Sequence, residues 1–153
     1  MTTTSTPQNG TTPHGHRPIA LVAWGATEAI LRHSQATLAR IDMTQPQWWA
    51  LNNIVRAEYG LTREDIRALA VPYGMGNQVM VHASDALVHR GWLGIGTDGR
   101  LTLTEQGHEG LATAKEHMDR VRAELLGDIT EEEYASAVSV LQRVTDHLAQ
   151  GSS

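Results

Sequence analysis

The chain has no cysteine and a single lysine, Lys115, among its 153 residues. Without thiols it can form no disulfide, no thiolate zinc site and no thiol-based redox sensor. No apolar run approaches the roughly 18 residues that a membrane span needs, and no charged-then-apolar export segment opens the chain. We therefore expect a soluble cytoplasmic protein, and nothing in its composition calls for a cofactor.

An excess of positive charge is also missing, because the formal net charge is −5. This argues against a non-specific coat for nucleic acid, which relies on a positive surface to displace counterions. The basic residues are almost all arginines, which suit bidentate contacts to phosphate or guanine, although biased codon usage explains the preference equally well. The length fits one domain that buries roughly two thirds of its unfolded surface.

Motifs for catalysis are absent as well. The sequence has no glycine-rich phosphate loop, no HExxH pair and no serine in a nucleophile elbow. His82 and Asp85 lie close in sequence, as do His117 and Asp119, but such pairs often arise by chance. We expect that the chain is not an enzyme.

The first 17 residues are polar and rich in threonine, with two prolines and two glycines. Such a segment cannot bury enough apolar surface to order itself, so residues 1–17 are predicted to be a flexible tail. His14 and His16 could form a weak metal site with a third ligand, but the simpler interpretation is a solvated histidine pair.

Apolar residues at helical spacing predict a long first helix from Pro18 to about Ile41. A second helix should begin near Pro46 and end at Tyr59-Gly60, and Thr62 should cap a third. After Pro72 and Gly74, residues 75–90 are predicted to form a fourth helix. Short helices that are joined this tightly are typical of a helix-turn-helix.

The stretch from residue 84 to residue 107 is the most informative part of the chain. Gly91 can take the left-handed conformation that ends a helix, and residues 92–95 and 100–103 then flank the turn Gly96-Thr97-Asp98-Gly99. Thr104 follows as the N-cap of a fifth helix. A helix that leads into a minimal hairpin after two other short helices predicts a winged helix, an arrangement that commonly reads DNA.

Two C-terminal helices carry apolar residues that alternate in steps of three and four, separated by a break at Gly127. Such alternation is typical of a seam between helices. Together with the first helix they exceed what a roughly 60-residue module needs, which suggests a dimer interface. The positions of the seam are Leu111, Ala114, Met118, Val121, Leu125, Tyr134, Val138, Leu141, Thr145 and Leu148.

From about residue 18 to 149 the sequence resembles the MarR-type transcription regulators. The resemblance rests on MTQPQWWAL (43–51), SDALVHRGWL (84–93) and the DGR of the wing followed by LTLTEQG. It implies a mainly α fold with a β-hairpin wing, in which residues 18–43 and 106–149 form dimerisation helices around a winged helix at 44–105. It further implies a homodimer that binds a pseudopalindromic operator on double-stranded DNA, usually as a repressor released by a small, often aromatic, ligand.

The face of the fourth helix that would enter the major groove can be predicted from spacing. With Val79, Ala83, Ala86 and Leu87 inward, the outward side chains include Asn77, Gln78, Val81, His82, Asp85 and His89. Amide side chains can pair with adenine, histidine can donate to guanine or phosphate, and Val81 can touch a thymine methyl. The alternative is that Asn77 and Gln78 only solvate the start of the helix. Asp85 would repel phosphate, so we expect it to lie off the contact or to pair with an arginine.

Arg100 is the strongest single candidate for a DNA contact. It follows Asp98 at the family's aspartate-x-arginine spacing, where the arginine enters the minor groove. Alternatively, the two side chains only pair across the turn. Ser84 is small enough for close packing or a phosphate contact, and further candidate phosphate contacts are Arg56, Arg63, Arg67 and Arg90.

The resemblance places an effector site between the first, second and fifth helices. Indole and imidazole groups there could stack on and orient an aromatic acid. For the tryptophans, core packing is the competing interpretation. The candidate residues are Trp24, His33, Trp48, Trp49, Asn53, His117 and Arg120.

Three features depart from the family pattern. Residues 44–105 hold five arginines against six carboxylates, a formal charge of −1 where a basic domain is expected. Position 82 carries histidine in place of the common arginine, and the wing is about six residues shorter than usual. Binding sensitive to salt and pH is one consequence. The competing function is a winged-helix interaction module that has lost most DNA reading and binds a protein partner.

Overall fold

The computed structural model describes residues 17–151, which form six α-helices and one two-stranded hairpin. The second, third and fourth helices with the hairpin make up a winged helix, and the remaining helices flank it in sequence. The elements are α1 (Ile19–Ala39), α2 (Gln45–Arg56), α3 (Arg63–Leu69), α4 (Val79–His89), β1 (Leu93–Ile95), β2 (Leu101–Leu103), α5 (Glu105–Leu126) and α6 (Glu131–Gln150).

Side-chain caps from threonines fix the starts of α2, α3, α5 and α6, and those at Thr62 and Thr104 were predicted. Thr62 accepts a hydrogen bond from the Asp65 N–H, and the Asp65 carboxylate accepts one from the Thr62 N–H, which completes a capping box. The bond from the Thr62 N–H lowers the pKa of Asp65. Thr44 and Thr130 begin α2 and α6 in the same way, and Thr104 caps α5.

The fourth helix begins later than predicted, at Val79 and not at residue 75. A short 3-10 turn spans Val71–Tyr73, and Gly74 then takes a left-handed conformation with φ 66°. Met75 N–H donates back to Ala70 O, which keeps the following residues in a turn. As a result Asn77 and Gln78 precede the helix, and Gln78 is its N-cap residue without a side-chain capping bond.

The hairpin has the predicted position and turn. Leu93 pairs with Leu103 and Ile95 with Leu101 in antiparallel register, and Gly96 N–H donates to Arg100 O across the turn. Leu61, ahead of α3, adds a bridge to Leu101 and so ties the helix-turn-helix to the wing. The wing is therefore held to the α2–α3 connection and not only to α4.

The hydrophobic core lies inside the winged helix and is closed by the end of α1 and the first half of α5. Every helix from α1 to α5 contributes to it, as do both strands. The fully buried side chains include Leu38, Leu51, Ile54, Ile66, Met80, Leu87 and Leu101.

Two helical segments carry apolar side chains that this core does not cover. In α1, Trp24 is 67% exposed and Leu21 is 69% exposed. In α6, all of whose residues are described, no side chain is buried, and Val138 and Leu141 of the predicted seam remain exposed. The seam positions in α5 differ, because Ala114 and Val121 are buried.

The corner between α5 and α6 is held by charge. Arg122 donates two hydrogen bonds to Glu131, at 2.9 and 2.8 Å, and its guanidinium lies 5.2 Å from the centre of the Tyr134 ring. These bonds lower the pKa of Glu131 and raise the pKa of Arg122. Across residues 17–151, no helix is both long and apolar enough to cross a membrane.

Candidate nucleic-acid interface

Polar side chains line the exposed side of α4 and the turn before it. Asn77, Gln78, His82, Asp85 and His89 are exposed, as predicted from the spacing. Asn77 and Gln78 lie directly before the first turn of α4. This surface can donate and accept hydrogen bonds at several neighbouring positions.

The predicted orientations of Val81 and Val79 in α4 are wrong, while Ser84 takes the first of its two predicted roles, close packing. Val81 is 3% exposed and Ser84 is 1% exposed, while Val79, predicted to be inward, is 38% exposed. The buried face of α4 is centred on Met80, Ser84 and Leu87. It is therefore rotated by about one residue from the face that was predicted. The Ser84 hydroxyl donates to Met80 O at 2.8 Å, which fits close packing and leaves it no direct access to phosphate.

Asp85 pairs with an arginine, which was one of the two outcomes expected for it. Arg63 Nη2 donates to Asp85 Oδ2 at 2.7 Å and links the first turn of α3 to α4. Both side chains are about half exposed, at 55% and 49%. The pair cancels a negative charge on the exposed side of α4.

The other arginine of α3 is more restricted. Arg67 Nη1 donates to Glu64 Oε1 at 2.6 Å within the same helix. Its Nε atom is buried and has no hydrogen-bond partner among the described residues. Arg67 therefore presents only part of its guanidinium to a phosphate.

The Arg100 side chain lies against the wing in this structure. Its backbone N–H donates to Asp98 Oδ1 at 3.0 Å, and its Nε atom lies 3.7 Å from Asp98 Oδ2. Nη1 also donates to Gly60 O at 3.4 Å. The side chain is still 41% exposed, so the pairing with Asp98 and a reach toward DNA are both geometrically open to it.

Arg90 is half-buried and its guanidinium is bound by other groups of the protein, which disfavours its predicted role as a phosphate contact. Its Nη1 atom donates to Asp42 O at 2.6 Å, in the turn between α1 and α2. Its guanidinium carbon lies 4.1 Å from the centre of the Trp92 ring. Sequence reasoning missed this use of Arg90, and its only signal was the aromatic residue that follows Gly91.

The predicted effector residues are divided between three surfaces. His33 Nε2 hydrogen-bonds to Glu124 Oε2 and joins α1 to α5. Trp48 and Trp49 pack partly buried against the core, and Asn53 donates to Trp49 O at 2.8 Å. Trp24 lies on the exposed half of α1, where its indole N–H donates to Glu28.

Neither of two surface grooves is lined by these candidates. One groove lies at the α5–α6 corner and includes Arg122, Tyr134 and Arg143. The other runs along the start of α1, from Arg17 to Ala26. His117 is half-buried and Arg120 is exposed on α5, outside both grooves. The structure thus brings α1, α2 and α5 together as expected, and the predicted effector residues line neither of these two grooves.

The described residues also contain no group of three histidine, aspartate or glutamate side chains that could hold a metal ion. His14 and His16, considered above as a weak metal pair, lie outside residues 17–151.

No family model and no curated protein matches the sequence. Solved structures do match the fold. The reduced form of MarR from E. coli is 20% identical with a TM-score of 0.66, over 84% of this chain and 93% of that chain. A MarR family protein of Mycobacterium tuberculosis in complex with p-aminosalicylic acid is 17% identical with a TM-score of 0.67, over 84% and 98% of the two chains.

A MarR family transcriptional regulator from Rhodococcus sp. RHA1 gives a TM-score of 0.71 at 18% identity, over 83% of this chain and 91% of that chain. The matches extend over most of both chains and therefore include the flanking helices as well as the winged helix. The chain has the winged-helix fold of MarR family regulators.

Proposed function

We propose that the chain is a dimeric, sequence-specific DNA-binding regulator of transcription. The observation that carries the proposal is the exposed row Asn77, Gln78 and His82 at the front of α4, next to a hairpin wing. The first turns of a recognition helix are the part that meets base edges in the major groove. Amide and imidazole side chains supply the donors and acceptors that direct reading of bases needs.

Contacts outside the major groove come from the arginines that remain accessible. Arg63 is positioned beside α4 by Asp85 and reaches the phosphate backbone. Arg100 swings from Asp98 into the minor groove at the wing, where a narrow groove attracts arginine. Arg67, Arg90, Val81 and Ser84 are left out of this set, because their side chains are buried or engaged within the protein.

A second copy of the chain covers the exposed apolar surfaces of α1 and α6. In α6 the exposed Val138 and Leu141 are three residues apart and so share one face of the helix. Most of the stability of a helix in a protein comes from packing of its apolar face. Because α6 buries no side chain within one copy, we expect this packing to come from the second copy. Two recognition helices spaced by one turn of DNA, roughly 34 Å, would then read a pseudopalindromic site.

The regulator acts in the cytoplasm, and a small aromatic acid is its proposed effector. A protein of the same fold has been solved with p-aminosalicylic acid. The indoles of Trp48 and Trp49 with Asn53, His117 and Arg120 supply stacking and hydrogen bonds near α5. Quenching of tryptophan fluorescence by phenolic acids tests this site, and no quenching at millimolar concentration would exclude it.

The experiment for DNA binding is selection of bound fragments from genomic DNA, followed by gel shift of the selected fragment. We expect specific retardation of the fragment. The affinity for DNA should fall as the salt concentration rises, with a slope that corresponds to several phosphate contacts. The variant Leu141→Arg tests the dimer in the same assay, because a charge within the α6 face should give monomers by light scattering. Val55→Arg, on the exposed surface of α2, is the control for an added charge.

A protein-binding module is the second candidate, and the charges of the winged helix favour it. Three of the five arginines in residues 44–105 are paired with carboxylates, namely Arg63, Arg67 and Arg100. A surface neutralised in this way gains little from counterion release. Absence of any retardation at low salt would support this candidate over the regulator.

A further inference from the structure

Trp92 lies where the end of α4, the start of the hairpin and the first turn of α5 meet. Gly91 takes a left-handed conformation with φ 80°, and Trp92 N–H donates to Leu87 O at 2.9 Å. The Trp92 carbonyl accepts from Thr104 N–H at 3.0 Å. The backbone of Trp92 therefore ends α4 and is hydrogen-bonded to the residue that caps α5.

Trp92 packs against Gly107 and Gly110, two glycines of α5 that lie one helical turn apart. A Cβ atom at Gly107 would lie 2.0 Å from the Trp92 carbonyl oxygen. A Cβ atom at Gly110 would lie 2.4 Å from Cη2 of the indole. Neither distance is possible between real atoms, so the backbone of Trp92 requires Gly107 and its ring requires Gly110.

The same indole is connected through Arg90 to the segment between α1 and α2. The guanidinium lies 4.1 Å from the ring centre, within range of a cation–π interaction. Arg90 also donates to Asp42 O, in the turn that joins α1 to α2. The Asp42 backbone has φ 54°, a conformation unusual for a residue other than glycine.

We propose that the Trp92 indole, seated at Gly110 and contacted by Arg90, is the positioning contact that sets the angle of α4 and the wing relative to α5. The proposal rests on the proposed function, in which α1, α5 and α6 form the dimer and α4 enters DNA. A change in this angle in both copies alters the distance between the two recognition helices. Trp92 and Gly110 thereby determine which half-site spacing the dimer accepts.

Three variants and one control test the contact. Gly110→Ala places a methyl group where the indole lies, and Trp92→Leu removes the ring. The double variant combines the two substitutions, so that the smaller leucine side chain leaves room for the added methyl group. Ala112→Ser adds one atom at an exposed position of the same helix and is the control. Each protein is measured for affinity to the DNA fragment that the wild type selects, and to copies with half-sites moved by one or two base pairs.

We expect Gly110→Ala to lose about tenfold or more in affinity at the wild-type spacing, since overpacking must displace the hairpin or α5. Its loss should be smaller at one of the altered spacings, which a general loss of folding would not produce. The double variant should recover most of the affinity, and Ala112→Ser should match the wild type. Equal affinity of Gly110→Ala and wild type, or failure of the double variant to recover, would overturn the proposal.

Fluorine NMR of fluorotryptophan-labelled protein separates this proposal from the proposed function. The Trp92 signal is identified by its absence in Trp92→Leu, and it should shift in Gly110→Ala but not in Ala112→Ser. If the wild type binds no DNA while this shift is seen, the contact stands and the proposed function fails. An unshifted signal overturns the contact whatever the DNA result.

Discussion

Arg63 on α3 is paired with Asp85 on α4, with 2.7 Å between Nη2 and Oδ2. The carboxylate lies on the exposed side of α4, beside the side chains proposed to read bases. In this position it both orients the guanidinium and lowers the positive charge that the helix presents. Under the proposed function, the pair therefore limits how strongly this surface binds DNA of any sequence.

Asp85→Asn should strengthen binding to non-specific DNA, because it removes a negative charge that repels phosphate and that partly neutralises the Arg63 guanidinium. The slope of log affinity against log salt should steepen by about one phosphate contact. Fluorescence anisotropy with a random duplex at several salt concentrations measures this. Glu132→Gln, at the start of α6, is the control for loss of one negative charge. Equal slopes for wild type and Asp85→Asn would mean that Asp85 lies away from the DNA.

The elements that were predicted correctly from the sequence have local causes. Thr62 and Thr104 cap helices through bonds to residues three positions on, and Gly91 ends α4 through its own φ. Each of these signals lies within a few residues of its effect. For this reason the order and type of the elements could be predicted without any knowledge of tertiary contacts.

The errors in the prediction arise where tertiary packing decides. A 3-10 turn and the glycines that follow it shift the start of α4 to Val79. Met80 is then buried in the core, and Val79, which was predicted to be buried, is exposed. The use of Arg90 depends on Asp42, 48 positions away in sequence. The spacing of residues along α4 does not reveal these contacts, so Val81 and Arg90 were assigned to a surface that they do not serve in this structure.

Gln78 and Arg100 should differ in the kind of specificity that they supply. Gln78→Ala should relax the preference at one base pair by roughly 1 to 3 kcal/mol, because an amide pairs with a base edge. Arg100→Ala should instead weaken binding to A·T-rich flanks, whose minor groove is narrow. Affinities for a panel of single-base operator variants distinguish the two. Equal losses for both variants on every sequence would contradict these assignments.

Arg90→Gln should reduce DNA affinity without changing its dependence on salt. The guanidinium bonds to Asp42 O and contacts Trp92, so its loss disturbs the position of α4 and removes no phosphate contact. Arg63→Gln is the matched comparison and should flatten the salt slope by about one contact. Titration of operator DNA at several salt concentrations gives both slopes. A flatter slope for Arg90→Gln would restore its predicted role as a phosphate contact.

Glu131 should make the corner between α5 and α6 sensitive to acid. Arg122 holds the pKa of Glu131 below its usual range, so the pair stabilises the folded state above the unfolded pKa. This contribution is lost as pH falls below about 5, through the lowered pKa. The difference in urea midpoint between wild type and Glu131→Gln should therefore shrink on acidification. Glu132→Gln removes a neighbouring carboxylate without affecting Arg122, and an equal shrinkage for it would exclude the pair as the cause.

Thr104 should contribute more to stability than an ordinary helix cap. Its hydroxyl accepts from Gly107 N–H at 3.1 Å and donates to Gly91 O at 2.6 Å, so one side chain starts α5 and ties it to the end of α4. Thr104→Ala should lower the free energy of unfolding by about 1–2 kcal/mol, while Thr104→Ser keeps the hydroxyl and most of the stability. Chemical denaturation measures both. Thr113→Ala removes a hydroxyl that bonds only within α5, and a loss as large there would show that the link between the helices adds nothing.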